Sequence, residues 1–330
     1  MVLIHLHQWW LFIVLIIFTA GLVTPARADS AAAARIGEIW VQDEAGAARY
    51  HHGFADGLRE LGYVEGQNLI VLTRYANGDE SRLPLILDEL IALKVDILFV
   101  SAAAVGAAKK ATATIPIVCA TMNDPVGAGL VASLSRPGGN LTGVTWQSVD
   151  TATKRLEFAF ELRPELSRLA VLFDSGESAA QREAEVVSSV ARKRKVTTVT
   201  FEVHRLSDVQ AAFASMAKSR PQALYVVDNP FMTGMRGQIA ALALQMRVPM
   251  ISEARSFAEA GAVLTYGAKD SHLLRRGAVY VDKILKGAKP GDLPIEQPTE
   301  FELIVNLKAA KALGLRVPSA ILERAERVIR

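Results

Sequence analysis

Apolar residues recur along this chain in short runs separated by amphipathic stretches. Runs at Ile36 to Val41, Leu69 to Leu72, Ile97 to Val100, Ile117 to Ala120 and Leu141 to Val144 are each too short for a helix and rich in β-branched residues. They predict buried strands of a parallel sheet. Between them the period changes: Tyr50, Phe54, Leu58 and Leu61 fall on one helical face, and Gly62 follows as a left-handed stop. A second series begins after Trp146, with strands expected at Leu169 to Phe173, Thr198 to Val203, Ala223 to Val227, Met250 to Ser252 and Ala262 to Tyr266. Its helices are expected at Ser178 to Arg194, Asp208 to Lys218 and Thr233 to Met246. One more helix, Ser271 to Lys286, precedes a Gly/Pro-punctuated connector, Gly287 to Pro298, then a strand, Phe301 to Val305, and a short final helix. Two βα series in one chain imply an α/β protein of two doubly wound lobes.

The first 28 residues stand apart. Leu11 to Val23 is an apolar run shorter than a comfortable membrane span, and Ala26-Arg27-Ala28 offers a small-x-small cleavage site before Asp29. A secretory signal peptide over 1–28 is expected. Met1 to Trp10 contains no Lys or Arg, which leaves an uncleaved anchor open.

The most informative stretch is Ala111 to Val144. A strand ending at Ala120 meets the polar turn Asn123-Asp124-Pro125, then a small-residue segment expected to be helical from Val126, then Arg136-Pro137-Gly138-Gly139-Asn140 and a second strand. With Gly62-Tyr63-Val64-Glu65-Gly66-Gln67-Asn68, the run Tyr280 to Gly287, Leu293-Pro294-Ile295-Glu296-Gln297-Pro298-Thr299 and Asn306 to Leu315, it resembles the ABC transporter substrate-binding proteins of the ABC_sub_bind type. The resemblance covers nearly everything after the leader and implies a fold like that of type I periplasmic binding proteins. It further implies three chain crossings between the lobes, near Thr145 to Val149, near Gly267 and near Pro298. The lobes would then be 29–145 with 267–297, and 146–266 with 298–330. Two departures limit transfer of the ligand. Asp174-Ser175-Gly176-Glu177-Ser178 replaces an Asn-Pro-type turn, and Gly261-Ala262 stands where Gly-Gly is frequent.

Composition narrows the picture further. The chain has 330 residues, 51% of them apolar, and a net charge of +3, which becomes +2 once Arg27 leaves with the leader. That balance implies neither a nucleic-acid nor a membrane-surface partner. The basic run Arg192-Lys193-Arg194-Lys195 reads as a solvated helix end. Cys119, the single cysteine, sits in a buried strand with no Cys/His cluster nearby, so no metal, cofactor or intramolecular disulfide is expected. No Gly-x-Ser-x-Gly elbow, His-Glu-x-x-His pair or phosphate loop is present, and His51, His52, His204 and His272 lie in mixed polar surroundings.

What remains is a ring of polar and aromatic residues at strand C-termini, where open α/β sheets bind ligands. It comprises Trp40, Gln42 and Asp43, then Ser101 with Ala102, then Thr121, Asn123 and Asp124; from the second series come Asp174, Ser175 and Glu177, Asp228 and Asn229, Glu253 and Tyr266. Small residues after Ser101 admit a ligand carboxylate to a helix N-terminus or serve tight packing. Asp124 is read both as a ligand contact and as the cap of a helix beginning at Val126. Asp228 is a partner for a ligand ammonium or a turn residue. Trp40 and Tyr266 sandwich an apolar ligand body, each offering a polar edge, or lie in a core. Together these point to a non-enzymatic periplasmic solute-binding protein. It captures a small polar solute, an amino acid or aromatic compound included, by hinge closure, and acts as a monomer with an ABC permease and ATPase. A sensor module for a membrane receptor and an enzyme of doubly wound fold are the alternatives.

Overall fold

A computed structural model describes residues 33–146 and 148–330. The leader expected at 1–28 lies outside the described residues. The first sheet has five parallel strands, β1 (Ala34–Trp40), β2 (Leu69–Tyr75), β3 (Ile97–Val100), β4 (Ile117–Met122) and β5 (Leu141–Thr145), in the order β2-β1-β3-β4-β5. The second has seven: β6 (Arg168–Asp174), β7 (Thr197–Val203), β8 (Ala223–Val226), β9 (Met250–Ser252), β10 (Leu264–Ala268), β11 (Phe301–Asn306) and β12 (Arg327–Ile329), in the order β12-β11-β10-β9-β8-β6-β7. Strands β6 to β10 repeat the winding of β1 to β5. Strand β11 runs antiparallel to β10 and carries β12 on its far edge.

Twelve α-helices flank the sheets among the described residues: α1 (Glu44–Glu60), α2 (Leu83–Ala92), α3 (Val105–Ala111), α4 (Ser148–Leu162), α5 (Ser178–Lys193), α6 (Leu206–Ser219), α7 (Pro230–Gly234), α8 (Arg236–Gln245), α9 (Arg255–Ala260), α10 (Asp270–Leu285), α11 (Leu307–Ala312) and α12 (Ser319–Arg324). Helix α1 shows why these segments are helical. Asp43 caps it by accepting from the Gly46 N–H at 2.8 Å, Glu44 and Arg59 suit the two ends of its dipole, and Tyr50, Phe54 and Leu58 are buried. Leu61, expected on that face, is instead the C-cap and 36% exposed. Phe54 stacks on Phe99 of β3, ring centroids 3.7 Å apart. Burying one such ring stabilises the lobe by about 1.5–3 kcal/mol.

Helix α10 closes the first lobe although it follows β10 of the second. It packs on α1, where a Cβ on Gly57 would stand 2.8 Å from the Ala278 Cβ, so only glycine permits this approach. The chain therefore passes between lobes three times: from β5 to α4, from β10 to α10, and through 296–301 into β11. Strand β10 runs to Ala268, so the second passage lies just beyond Gly267. At the first, Gly143 adopts φ +141° with its α-carbon against the Cys119 carbonyl, 1.9 Å from where a Cβ would project. No side chain fits there.

Two expected elements differ and one strand is additional. The segment after Pro125 forms turns rather than a helix, because Pro125, Gly127, Gly129 and Pro137-Gly138-Gly139 break every turn of it, and Gly129, Gly138 and Gly139 all have positive φ. The helix expected over 233–246 divides at Met235 into α7 and α8. Strand β12 was not anticipated, being three residues long and opening on Arg327. The basic run 192–195 does lie exposed at the end of α5.

Candidate functional site

The C-terminal ends of both sheets face one cleft. The first lobe contributes Trp40 and Gln42 from the end of β1, Tyr50 from α1, Ser101 and Ala102 after β3, Thr121 and Asn123 at β4, and Trp146 after β5. Three aromatic rings form its floor: Trp40 stacks on Tyr50 at 5.5 Å, and Tyr50 meets Trp146 edge-on at 6.3 Å. Trp40 is held from behind. Glu38, alternating with Ile39 inside β1 and wholly buried, accepts the Trp40 indole N–H at 2.8 Å, the Thr73 hydroxyl at 2.8 Å, and lies 2.7 Å from His51 Nδ1. That hydrogen bond raises the His51 pKa against the opposing effect of burial. Because Glu38 occupies the indole N–H, Trp40 presents its ring and no polar edge to the cleft.

The second lobe contributes Asp228 and Asn229 after β8, Pro230 and Thr233 from α7, and Glu253 after β9. Asp228 accepts the Thr233 hydroxyl at 2.5 Å; burial pushes its carboxyl up to about 7, opposed by that bond and by nearby Arg49. Its neighbour Asn229, not Asp228, caps α7, accepting from Met232 N–H at 2.8 Å while its amide donates to Asp174 and Glu177 at 2.9 Å. Behind Glu253 lies Arg155 of α4, fully buried. It donates to Glu183 and the Tyr225 hydroxyl, both at 2.5 Å, and to Thr151 at 2.6 Å, and its Nη1 stands 3.5 Å from Glu253.

The space between these walls is about 490 Å³, mouth included. Among the described residues lining it none is Lys or Arg. A second, wider space of about 1070 Å³ adjoins it, sharing Ala102, Asn123, Asn229 and Pro230. Contacts that join the lobes here include Asn123 donating to Glu177 at 2.9 Å and Arg182 pairing with Asp124 at 2.7 Å.

Of the expected site residues, Trp40, Gln42, Ser101, Ala102, Thr121, Asn123, Asp228 and Glu253 line the inner space. Asp124 and Glu177 line only the outer one. Asp124 caps a turn through Gly127 N–H at 2.8 Å, not a helix. Two expectations fail on placement. Ser175 lines neither space, since its backbone is tied to Val203 at the end of β7. Tyr266 points to the opposite face of β10, stacked on Phe301 at 5.9 Å and against Phe158 at 5.3 Å. Trp40 and Tyr266 thus form no sandwich. Tyr50, Trp146, Pro230 and Thr233 were missed. Trp146 had a visible signal, an aromatic directly beyond a predicted strand; Tyr50 matched the core face of α1, where it also packs.

This geometry, two similarly wound lobes enclosing a polar-aromatic cleft, agrees with a family-level match. The model of the ABC transporter substrate binding protein family covers residues 40–329. The chain belongs to that family. It is 27% identical over 270 residues to the tyrosine-binding protein of Clostridioides difficile (strain R20291), spanning 81% of this chain and 77% of that protein. A structure of an ABC domain in complex with L-Trp from Streptococcus pneumonia superposes with a TM-score of 0.84 at 25% identity, covering 90% of this chain and all of that one. The ligand-free, open structure of a substrate-binding protein with adhesive properties from Clostridium difficile, also 25% identical with 90% and 99% coverage, gives 0.70. These family relatives are substrate-binding proteins rather than enzymes, and the fold is that of type I periplasmic binding proteins.

Proposed function

We propose that this protein is the periplasmic solute-binding component of an ABC importer and that its ligand is an α-amino acid with an aromatic side chain. The observation that carries this reading is the division of chemistry across the inner space: aromatic rings and neutral donors on one wall, the carboxylates Asp228 and Glu253 on the other. A ligand ammonium pairs with the acidic wall, and an apolar body lies on the Trp40–Tyr50 stack. Relatives that bind tyrosine and L-Trp support the class. At equal identity the chain superposes better on the L-Trp complex than on the ligand-free open form, 0.84 against 0.70, which supports a closed arrangement here.

The moving bodies are 29–145 with 267–297, and 146–266 with 298–330. Binding energy closes them, and a permease with its ATPase recognises the closed monomer. The leader 1–28 directs export and is removed before Asp29.

Isothermal titration of the mature protein with L-tyrosine and L-tryptophan tests the reading: saturable binding is expected, and silence toward every amino acid overturns it. Asp228→Asn should weaken binding by about 1–3 kcal/mol, the range of a charge-assisted hydrogen bond, while the ligand-free melting temperature stays nearly unchanged. A variant that melts early but binds normally would reduce Asp228 to a turn residue.

A further inference from the structure

Two polar atoms at the inner space have no hydrogen-bond partner among the described residues although both are buried: the indole Nε1–H of Trp146 and the amide oxygen of Gln42. Buried polar groups are nearly always satisfied, and leaving one bare costs its desolvation. An unpaired donor and an unpaired acceptor in the same cleft therefore describe the complementary groups of whatever fills it.

Their positions tell them apart. Trp146 follows β5, its backbone N–H held by the Met122 carbonyl at 2.7 Å. It stands beside Ser101 after β3 and Thr121 in β4, so three consecutive strand ends carry donors. The Ser101 oxygen accepts from Val41 N–H at 3.3 Å, which leaves its own O–H to donate, and Thr121 Oγ1 has the weak partner Cys119 Sγ at 3.8 Å. With no Lys or Arg among the described residues of the wall, this row is the place for a carboxylate. Gln42 sits beyond β1, three strand spacings from β5 in the sheet order, roughly 14 Å at the backbone. Between the two lies the Trp40–Tyr50 stack.

Resting on the amino-acid reading above, we propose that Trp146 and Gln42 read opposite ends of the ligand. The Trp146 N–H donates to the carboxylate, and the Gln42 oxygen accepts from a donor on the side chain. The site then selects aromatic amino acids bearing such a donor, a phenol O–H or an indole N–H, over phenylalanine. A polar pocket rejects the analogue lacking its partner far more strongly than an apolar pocket rejects a missing methyl.

The test is titration of the mature protein and of two variants with L-tyrosine, L-tryptophan and L-phenylalanine, with melting curves for each protein. Unmodified protein should bind phenylalanine at least about tenfold more weakly than tyrosine. Gln42→Leu should weaken tyrosine and leave phenylalanine unchanged or tighter, erasing the preference. Trp146→Phe should weaken all three by one common factor of about tenfold, since the carboxylate is shared. Equal affinity for tyrosine and phenylalanine in the unmodified protein overturns the inference. So does a uniform loss in Gln42→Leu, or an altered tyrosine-to-phenylalanine ratio in Trp146→Phe. The Gln42→Leu comparison stands alone if Trp146→Phe melts early. Unmodified protein that binds none of the three defeats the amino-acid reading itself.

Discussion

Behind each wall of the cleft lies a buried ionic cluster, and the two are built on different principles. In the first lobe a single carboxylate, Glu38, is satisfied by the neutral donors of Trp40 and Thr73 and by His51, whose side chain keeps 30% of its surface exposed. In the second a guanidinium, Arg155, is enclosed with Glu183, Tyr225, Thr151 and Glu253, and both it and Glu183 are almost wholly dry. The first cluster includes a histidine whose pKa the bond to Glu38 raises and whose ring opens to solvent; the second is anchored by a cation that never loses its proton. The aromatic wall is thus held by an adjustable support and the acidic wall by a permanent one.

The largest test of this contrast is removal of each centre. Arg155→Ala should cost about 3–5 kcal/mol in chemical denaturation, because two acids are left buried without their cation. Glu38→Gln, which keeps shape and some hydrogen bonding, should cost only about 1–3 kcal/mol. Equal losses would erase the distinction.

Next in size is the pH response of the acidic wall. Asp228 has its pKa raised to about 7 by burial. A raised carboxyl stabilises the folded, ligand-free protein at low pH, and that contribution is lost as pH rises through about 7. Pairing with an ammonium needs the ionised form, so affinity should move the other way, falling toward tenfold per pH unit below about 7. Titration calorimetry from pH 5 to 8 checks this, with Asp228→Asn expected to flatten the profile.

The smallest effect belongs to the aromatic wall. His51 is raised by its bond to Glu38, so its contribution is complete below about 6.5, its unperturbed pKa, and fades as pH passes its folded value. Solvent exposure keeps it below about 1 kcal/mol. Melting across pH 5 to 9 for the natural protein and His51→Gln should differ most in the lower part of that range and converge as pH rises.

Much of this arrangement is legible in the sequence. Strands buried on both faces read as continuous apolar runs, so their ends, and with them Trp40, Ser101, Thr121 and Asp228, could be placed by counting. The clusters could not. Glu38 interrupts an apolar run by one residue, and Arg155 sits beside Lys154 on a helix whose polar face looks like any solvated face; what buries them is the partner element, 28 residues away for Glu183. Tyr266 shows the same limit from the other side. Its strand was recognised, but which face met the cleft depended on α4 covering the opposite one.

The threefold passage of the chain has a consequence for how the molecule is made. The first sheet is complete at Thr145, yet its core includes Leu273, Leu274 and Tyr280 of α10, and the second sheet lacks β11 and β12 until the last 30 residues exist. A chain emerging from the ribosome at its N-terminal end therefore cannot complete the core on one face of each sheet, the face covered by α10 in the first and the face that takes in β11 and α11 in the second, until synthesis is nearly finished. Such late completion leaves each sheet covered on one side only for almost all of the chain's birth.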